Sequence, residues 1–285
     1  MIIVIIGPTG VGKTKLSLSL AHKYNAEIIN ADAMQVYKEM NIGTAKVDDT
    51  EGILHHLLSI RSVNDPYSVY EYQKEGRIVL DKLLKENKNV IIVGGTGLYI
   101  KALLYDYKFN DENKSETYDD LSNEEILSEI KKIEDTDIHV NNRKRLIRTL
   151  NRIKNNSKIS NNGNELLYKN VYFIGLTTNR DILYKRINDR VDEMVRDGLI
   201  KEVKDLYDSN IHTIPINTAI GYKELYKYFN NEISMEEAID LIKRNSRRYA
   251  KRQYTWINNK MNVKWFDVNL NNFDSTIKDV EDYIG

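Results

Sequence analysis

The 285-residue chain has no cysteine and only three prolines. The lack of cysteine excludes disulfide bonds, thiolate zinc sites and zinc-finger appendages, and it suits a reducing compartment. So few prolines are typical of a helix-rich protein. No apolar run reaches the roughly 20 residues that cross a bilayer, and no basic segment precedes the first apolar run. We therefore expect a soluble cytoplasmic protein with no membrane segment and no signal peptide.

The chain also has no net charge, because 42 lysines and arginines balance 42 aspartates and glutamates. The two signs are nevertheless segregated. Acids dominate residues 111–137, whereas residues 140–158 and 241–266 contain many bases and no acid. Two acid-free basic segments indicate a polyanionic partner. Nothing in the composition implies an obligate protein partner.

A phosphate-binding motif lies near the start of the chain. The apolar residues 1–6 precede a full match to G-x-x-x-x-G-K-[ST]. The predicted phosphate-binding residues are Gly7, Pro8, Thr9, Gly10, Val11, Gly12, Lys13 and Thr14. The glycines let backbone N–H groups face an anion, Lys13 adds a positive charge, and the Thr14 hydroxyl can hold Mg²⁺. An amphipathic helical pattern follows, which favours a bound di- or triphosphate over a turn that binds nothing.

Apolar segments that alternate with helical patterns predict the fold. Buried strands are predicted at residues 26–30, 90–93 and 171–176, and a helix at 67–87. The alternation predicts an α/β fold with a P-loop NTPase-like parallel sheet flanked by helices. Ligands of such sheets bind at the carboxyl ends of the strands. The P-loop, Asp32 and Thr96 are therefore expected to share one site.

The middle of the chain differs from its flanks. Residues 109–166 are highly charged and rich in asparagine, and they show helical spacing in two pieces. We predict a core made of residues 1–108 and 167–285, interrupted by a helical insertion domain at 109–166. The second part of the core is predicted to contain long helices at 180–207 and 235–258 and a short strand at 263–266.

Asp32 is the acid nearest to a predicted strand end. The strand at 90–93 ends in glycines and Thr96, without the aspartate with which P-loop NTPases usually hold Mg²⁺. Asp32 could hold a metal through water or accept a proton from a nucleophile, and the alternative is a helix cap. Gln35 has the donor and the acceptor that reading a base edge requires.

Two predicted helices have basic faces. On the first, Lys144, Arg145, Arg148 and Arg152 lie opposite Leu146, Leu150 and Ile153. The second carries two adjacent stripes, Arg244, Arg248 and Arg252 on one and Lys243, Arg247 and Lys251 on the other. The aromatic residues Tyr249, Tyr254 and Trp256 are interleaved with them. Basic faces with aromatic residues suit a phosphate backbone and unstacked bases. The alternatives are solvated helix faces for the charges and core positions for the aromatic rings.

Two further pairs have an open interpretation. Arg186 and Arg190 lie one helical turn apart, so they could reach a leaving phosphate or form surface pairs with nearby acids. His55 and His56 are adjacent, and adjacent side chains on a strand point apart. We therefore expect structural or substrate-lining roles for these histidines and no shared metal.

Six motifs in a fixed order carry a resemblance that spans nearly the whole chain. They are the P-loop, residues 32–37 with 41–46 (NIGTAK), His55-His56-Leu57, residues 94–99 (GGTGLY), 219–225 (AIGYKEL) and 250–256 (AKRQYTW). With them the chain resembles the bacterial tRNA dimethylallyltransferases, also called tRNA isopentenyltransferases. This family transfers a dimethylallyl group from dimethylallyl diphosphate to the exocyclic amine of the adenosine 3′-adjacent to the anticodon.

The resemblance implies roles for individual residues. Asp32, Thr96 and Arg190 would be catalytic, with Asp32 as the general base, and Thr14 would bind Mg²⁺ at the diphosphate that the P-loop holds. The implied tRNA contacts are Asp32, Ala33, Met34, Gln35, Thr96, Lys144, Arg145, Leu146, Ile147, Arg148, Arg248 and Arg252. Two positions depart from the family pattern, since Ala33 replaces a usual Ser and Asn142 a usual Asp.

Three other functions stay possible at this point. A small-molecule kinase would use the P-loop for ATP and Asp32 to activate a hydroxyl, but it has no need of two basic faces. An isopentenyltransferase that acts on free adenine nucleotides has no need of the basic insertion. A non-catalytic RNA-binding module leaves the positions of Asp32 and Thr96 unexplained.

Overall fold

The computed structural model describes residues 1–109, 116–155 and 164–285. The described residues form a sheet of parallel strands. In chain order these are β1 Ile2–Ile6, β2 Ala26–Asn30, β3 His55–His56, β4 Asn89–Gly94, β5 Val171–Thr177 and β6 Lys264–Asp267. Their order across the sheet is β3-β2-β4-β1-β5-β6. The α/β prediction is confirmed, and every strand delivers the loop after it to the same edge of the sheet.

Helices connect the strands and extend the fold beyond the sheet. They are α1 Lys13–Tyr24, α2 Val69–Lys85, α3 Gly97–Leu104, α4 Asn123–Lys131, α5 Arg143–Lys154, α6 Arg180–Arg196, α7 Leu199–Asp208, α8 Ile214–Thr218, α9 Tyr222–Phe229, α10 Met235–Lys260 and α11 Phe273–Ile284. Capping boxes at Ser68 and Ser234 start α2 and α10. Among the described residues, no helix has the length and apolar character that a bilayer crossing requires.

The prediction of one helix over residues 180–207 is wrong. Gly198 has a φ of +108°, in the left-handed region that glycine adopts without a steric penalty, and it separates α6 from α7. Several elements were not predicted, namely α3, α9, α11 and two short features. The edge strand β3 has only two residues, and α8 has five, so neither gives a periodic signal in the sequence.

The central strand explains the two apolar layers of the core. Ile3 and Ile5 of β1 pack with α1, α6 and α11, whereas Ile2, Val4 and Ile6 pack with α2, α3 and the end of α10. All five residues of β1 are buried. This continuous apolar run is therefore typical of a parallel strand that is covered on both faces.

A third apolar cluster joins the segment after β2 to the helices α7–α10. Val36 and Met40 pack there with Leu199, Tyr222 and Ile242. The cluster fixes the position of the loop that follows Asp32. The main compact unit of the protein consists of residues 1–105 and 166–285.

Residues 106–165 form a second compact unit. It contains α4 and α5, whose apolar faces meet through Ile126, Ile130, Leu146 and Leu150. The chain leaves the main unit at Tyr105 and returns at Leu166, where the two residues form an antiparallel bridge. Parts of the acidic and basic segments, including Lys158, lie outside the described residues. That this unit faces tRNA stays a prediction.

Candidate active site

A cavity of about 710 Å³ opens at the carboxyl edge of the sheet. The P-loop contributes Thr9, Gly10, Gly12, Lys13 and Thr14 to its lining. Asp32 and Gly95 line it from the ends of β2 and β4, and Arg190 lines it from α6. The structure thus brings together the predicted phosphate-binding loop, the predicted base and the predicted arginine.

The P-loop backbone is held by tight packing. Gly12 has a φ of +105°, and a Cβ at this position would lie 2.5 Å from the ring of Phe273 in α11. A Cβ at Gly7 would lie 2.6 Å from the carbonyl oxygen of Leu176. Val11 is fully buried in the core, so its side chain anchors the loop, and only its backbone can serve an anion. The loop leads directly into the N-terminus of α1. The first backbone N–H groups of a helix have no partner within the helix, so they can bind an anion here.

Lys13 is the main positive charge inside the loop. Its Nζ donates to the carbonyl oxygens of Gly7 at 3.0 Å and Pro8 at 2.8 Å. Burial lowers the pKa of Lys13 to about 8, the nearby Asp32 carboxylate opposes this shift, and Arg190 adds to it. At neutral pH the ammonium form still prevails, and a bound anion would stabilise it further.

Two arginines of α6 reach the P-loop. The Nη1 of Arg190 lies 3.4 Å from the Thr9 hydroxyl, and the Nε of Arg186 donates to the Gly10 carbonyl oxygen at 3.0 Å. Burial lowers the pKa of Arg190 below its ordinary value, and the carboxylate of Asp32 works against this shift. The α6 surface pair is formed by Lys185 and Asp189 instead. Both arginines are thus able to contact a phosphate in the loop.

Asp32 does not cap a helix, because no helix lies between residues 33 and 45. Its Oδ1 accepts a hydrogen bond from the backbone N–H of Met34 at 3.0 Å, which closes a local turn. The adjacent N–H of Ala33 donates to the Thr96 hydroxyl at 3.1 Å. This contact joins the ends of β2 and β4, so the predicted base and Thr96 are neighbours.

Gln35 and Lys46 hold the loop that carries the NIGTAK motif. The Nε2 of Gln35 donates to the carbonyl oxygens of Thr44 and Ala45, at 3.0 and 3.3 Å. The Nζ of Lys46 donates to the Tyr37 carbonyl oxygen at 2.6 Å, and burial lowers the pKa of Lys46 to about 8. The side-chain donor of Gln35 is therefore used within the protein, and base reading by Gln35 stays a prediction.

Glu202 was missed by the sequence analysis. Its carboxylate accepts hydrogen bonds from three successive N–H groups, those of Asn41, Ile42 and Gly43, at 2.8–3.1 Å. The hydroxyl of Tyr222 is its fourth donor. The AIGYKEL motif marks Tyr222, but no local signal marks Glu202, which lies about 160 residues from its partners.

Helix α10 contributes one predicted tRNA contact, Arg252, and two residues without a predicted individual role in the site, Tyr249 and Gln253. Tyr249, Arg252 and Gln253 line the cavity. Burial raises the pKa of Tyr249 to about 12, while the nearby Thr96, Arg252 and Gln253 side chains work against this shift, so its hydroxyl stays protonated at physiological pH. Trp256 packs against the backbone of Gly97, which favours the core interpretation of this ring.

The two basic stripes on α10 differ in exposure. Arg244, Arg248 and Arg252 are exposed. The adjacent stripe is engaged, because Lys243 pairs with Asp192 at 2.6 Å and Arg247 bonds to Asn188 at 2.5 Å, both on α6. The first stripe, together with the exposed Lys251 of the second, is therefore available to meet a large anion.

In the second unit, the structure divides the predicted basic face of α5. Lys144, Arg145 and Arg148 are exposed, whereas Arg152 is half-buried and pairs with Glu134. The side chain of Leu146 is fully buried in the core of this unit, so only its backbone could contact tRNA, and this contact stays a prediction. Ile147 is partly buried against the same core.

The adjacent histidines point apart, as expected. His56 bonds to Glu27 at 2.7 Å, away from the site. His55 lines the cavity and contacts the Ile53 carbonyl oxygen through Nδ1 at 3.0 Å. Burial lowers the pKa of His55, which keeps its ring neutral at physiological pH.

The described residues contain no group of three or more His, Cys, Asp or Glu side chains that could hold a metal by themselves. Mg²⁺ rarely needs one, since it is commonly held by one or two protein oxygens together with substrate phosphates. The Thr14 hydroxyl and the Asp32 carboxylate line the same cavity as the P-loop. This oxygen donor set fits a magnesium ion that arrives with a diphosphate.

Comparison with known proteins gives a consistent result. Residues 35–260 match the family model described as IPP transferase. The chain is 45% identical to the tRNA dimethylallyltransferase of Anoxybacillus flavithermus, over 99% of this chain and 96% of that protein. It is 48% identical to the tRNA dimethylallyltransferase of Geobacillus thermodenitrificans, over 94% of this chain and 90% of that protein.

Solved structures extend the similarity to the fold. The tRNA isopentenylpyrophosphate transferase of Bacillus halodurans superposes with a TM-score of 0.78 at 41% identity, covering 99% of this chain and 95% of that one. A eukaryotic dimethylallyltransferase acting on tRNA superposes with a TM-score of 0.84 at 29% identity, covering 98% of this chain and 77% of that one. The chain belongs to the IPP transferase family.

Proposed function

We propose that this enzyme transfers a dimethylallyl group from dimethylallyl diphosphate to tRNA and releases diphosphate. The acceptor is the exocyclic amine of the adenosine 3′-adjacent to the anticodon. One observation carries the proposal: the P-loop, Arg190 and Asp32 line a single cavity. A loop for a leaving diphosphate thus lies beside a carboxylate that can accept the proton of an attacking amine.

The leaving group explains the form of the P-loop site. Bond cleavage places negative charge on the departing diphosphate, which Lys13, Arg190 and the backbone N–H groups at the start of α1 can stabilise. No nucleotide is hydrolysed, so no aspartate is needed at the end of β4 to hold a metal for hydrolysis. The strand β4 ends in Gly94, Gly95 and Thr96.

Asp32 is the proposed general base. An adenine amine is a weak nucleophile, because its lone pair is delocalised into the ring, and it becomes acidic as it attacks the allylic carbon. The carboxylate of Asp32 then accepts the proton, and the amine nitrogen keeps the electron pair of the broken N–H bond. Thr96, which is hydrogen-bonded to Ala33, would contact the adenosine.

Thr14 and Asp32 are the residues that would hold Mg²⁺, Asp32 through water. When bound, the ion neutralises the diphosphate. The cavity volume of about 710 Å³ lies in the range of sites for drug-sized ligands, so it accommodates a prenyl diphosphate and one flipped-out base.

The tRNA requires a much larger surface than this cavity. Arg248 and Arg252 on α10 and the exposed face of Lys144, Arg145 and Arg148 on α5 are the proposed phosphate contacts. Ala33, Met34 and Gln35 follow the base directly and would contact the anticodon loop. Residues 106–165 would serve as the tRNA-facing insertion, and the enzyme would act in the cytoplasm.

Kinase activity is the less favoured function. A kinase would use the same P-loop to bind ATP. The NIGTAK and AKRQYTW motifs and the family membership support prenyl transfer instead. An acceptor that is a free adenine nucleotide would leave the exposed basic stripes without a role.

The test incubates the protein with labelled dimethylallyl diphosphate, Mg²⁺ and bulk tRNA, with ATP and AMP as competing substrates. We expect label in tRNA, and after nuclease digestion in one modified adenosine. Label in AMP at a higher rate than in tRNA would overturn the tRNA proposal. Phosphoryl transfer from ATP without prenyl transfer would establish the kinase alternative.

A further inference from the structure

A buried glutamine of α10 bridges the two halves of the cavity. Gln253 is 6% exposed. Its Oε1 accepts a hydrogen bond from the backbone N–H of Thr9 at 3.0 Å, and its Nε2 donates to the carbonyl oxygen of Gly95 at 3.0 Å. One carboxamide therefore joins the P-loop to the loop that follows β4.

The glycines after β4 make room for this bridge. A Cβ at Gly95 would overlap the Nε2 of Gln253, and a Cβ at Gly97 would overlap the ring of Trp256. Gln253 and Trp256 lie three residues apart on one face of α10. The GGTG sequence is thus the surface on which this helix face packs.

On the P-loop side, the bridge determines which backbone groups can serve an anion. The N–H of Thr9 is used by Gln253, while the Thr9 hydroxyl lies 3.4 Å from Arg190. Thr9 is therefore held from both sides. A diphosphate would be bound by the later N–H groups of the loop, at the start of α1.

On the acceptor side, the bridge ends next to the proposed base. A Cβ at Gly95 would lie 3.8 Å from the Oδ2 of Asp32, and Gly95 directly precedes Thr96. A shift of Gln253 would therefore move Gly95, and with it Thr96 and the edge beside Asp32, as well as the diphosphate loop.

We propose that Gln253 is a positioning residue, which aligns the diphosphate-binding loop with the Asp32–Thr96 edge through its two hydrogen bonds. The inference rests on the proposed function, because alignment matters only if both substrates react in this cavity. Gln253 touches neither reacting atom. It acts through Thr9 and Gly95.

A carboxamide is needed at this position because its oxygen accepts one hydrogen bond while its nitrogen donates the other. Glutamate at this position keeps an acceptor for the Thr9 N–H, but its second oxygen faces the Gly95 carbonyl oxygen and repels it. A protonated glutamic acid restores a donor to that carbonyl. The Gln253→Glu variant should therefore recover its bridge as the pH falls, whereas Gln253→Met cannot.

The experiment measures steady-state prenyl transfer and the binding of inorganic diphosphate for wild type, Gln253→Glu and Gln253→Met. For Gln253→Met we expect kcat/KM for dimethylallyl diphosphate to fall by about a hundredfold, as for an active-site misplacement of about 1 Å. The Kd for tRNA should change little, because the proposed phosphate contacts on α5 and α10 supply most of that affinity. The ratio of Gln253→Glu to wild-type activity should rise as the pH falls from 8 to 6.

Gln73→Met is the matched control. Gln73 is a buried glutamine that also donates to a backbone carbonyl, that of Ala102 at 2.8 Å, and it does not line the cavity. It should lose stability without a change in KM for dimethylallyl diphosphate. Equal kinetic losses in Gln73→Met and Gln253→Met, or an activity ratio for Gln253→Glu that does not change with pH, would overturn the inference.

Inorganic diphosphate keeps the two proposals separable. If wild type binds it but transfers no prenyl group, the proposed function fails, and the bridge is judged by diphosphate binding alone. Unchanged diphosphate binding in both Gln253 variants, together with wild-type transfer rates, would refute the bridge and leave the function intact.

Discussion

Tyr222 donates its phenolic hydrogen to the Oε1 of Glu202 at 2.6 Å, from a different helix. Burial raises the pKa of Tyr222 above its ordinary value, so the phenol remains a donor at any physiological pH. The same carboxylate accepts three backbone N–H groups from residues 41–43. A Cβ at Gly43 would lie 2.5 Å from the Tyr222 ring. A single acidic side chain and the ring beside it therefore hold residues 41–43 of the NIGTAK loop, in addition to the contacts that Gln35 and Lys46 make with this loop.

Replacement of Glu202 should destabilise this loop. In Glu202→Gln the amide has one acceptor oxygen for four donors, so we expect a loss of about 1–3 kcal/mol in the free energy of unfolding. Tyr222→Phe removes one bond and should cost about 1 kcal/mol. Urea denaturation measures both. Asp205→Asn, at an exposed ion pair on the same helix, is the control and should change stability little. A Glu202→Gln variant as stable as this control would contradict the expectation.

Asp32→Asn should slow prenyl transfer by about 10²–10⁴-fold, because an amide cannot act as the general base. Asparagine keeps an oxygen acceptor for the Met34 N–H, so the turn observed here is preserved. Asp32→Ala loses both the general base and the acceptor for the Met34 N–H. Single-turnover rates and tRNA affinities distinguish the two roles. If Asp32→Asn is as active as wild type and only Asp32→Ala is impaired, the carboxylate serves the turn and not the chemistry.

The charge of Lys13 should make diphosphate binding depend on pH. The pKa of Lys13 is lowered to about 8, so the ammonium form is lost as the pH rises through this value, and the affinity for inorganic diphosphate should fall. Lys13→Arg stays charged over the whole range and shares any titration of the ligand. Calorimetric titrations between pH 7 and 9 compare the two proteins. Parallel profiles would show that Lys13 does not cause the pH dependence.

The two arginines of α6 should contribute unequally. Arg190 is half-buried and lies at Thr9, so Arg190→Ala should weaken binding of dimethylallyl diphosphate by about tenfold or more while tRNA binding is retained. Arg186 is exposed, so Arg186→Ala should have a smaller effect. Equilibrium binding of the labelled donor measures both. A larger loss for Arg186→Ala would reverse the assignment.

The exposed face of α5 should contribute to the salt dependence of tRNA binding. Replacing Lys144, Arg145 and Arg148 together with Gln should lower the slope of log affinity against log salt by up to about 0.9 per lost phosphate contact. Stability should change by less than about 0.5 kcal/mol. Arg152→Gln is the control on the same helix, because Arg152 pairs with Glu134 and should affect stability instead of the slope. An unchanged slope in the triple variant would mean that this face is only solvated.

Much of the fold was predictable because its signals are local. The strand β1 is a continuous β-branched run, and α2 begins at a serine followed three residues later by a glutamate. The break at Gly198 was missed, because apolar spacing continues across it from α6 into α7. The strand β3 was missed because its pairing with β2, and not its own sequence, makes it a strand.

The site was predictable to the extent that it is built from motifs. The P-loop and Asp32 follow strands that the sequence marks, so their meeting at one edge follows from parallel topology. The bonds of Glu202 and Gln253 span about 160 and 240 residues, and no periodicity encodes such pairs. The burial of Leu146 shows a second limit of the sequence analysis. The predicted tRNA-contact segment, residues 144–148, includes this apolar position, whose side chain faces the core of its own unit.

The antiparallel bridge between Tyr105 and Leu166 gives the protein a modular architecture. Because the exit and the return of the chain are adjacent, everything between them can be shortened, lengthened or exchanged without altering the register of any strand. An insertion, a truncation or a fusion made within this 60-residue unit should therefore leave the sheet and the P-loop intact.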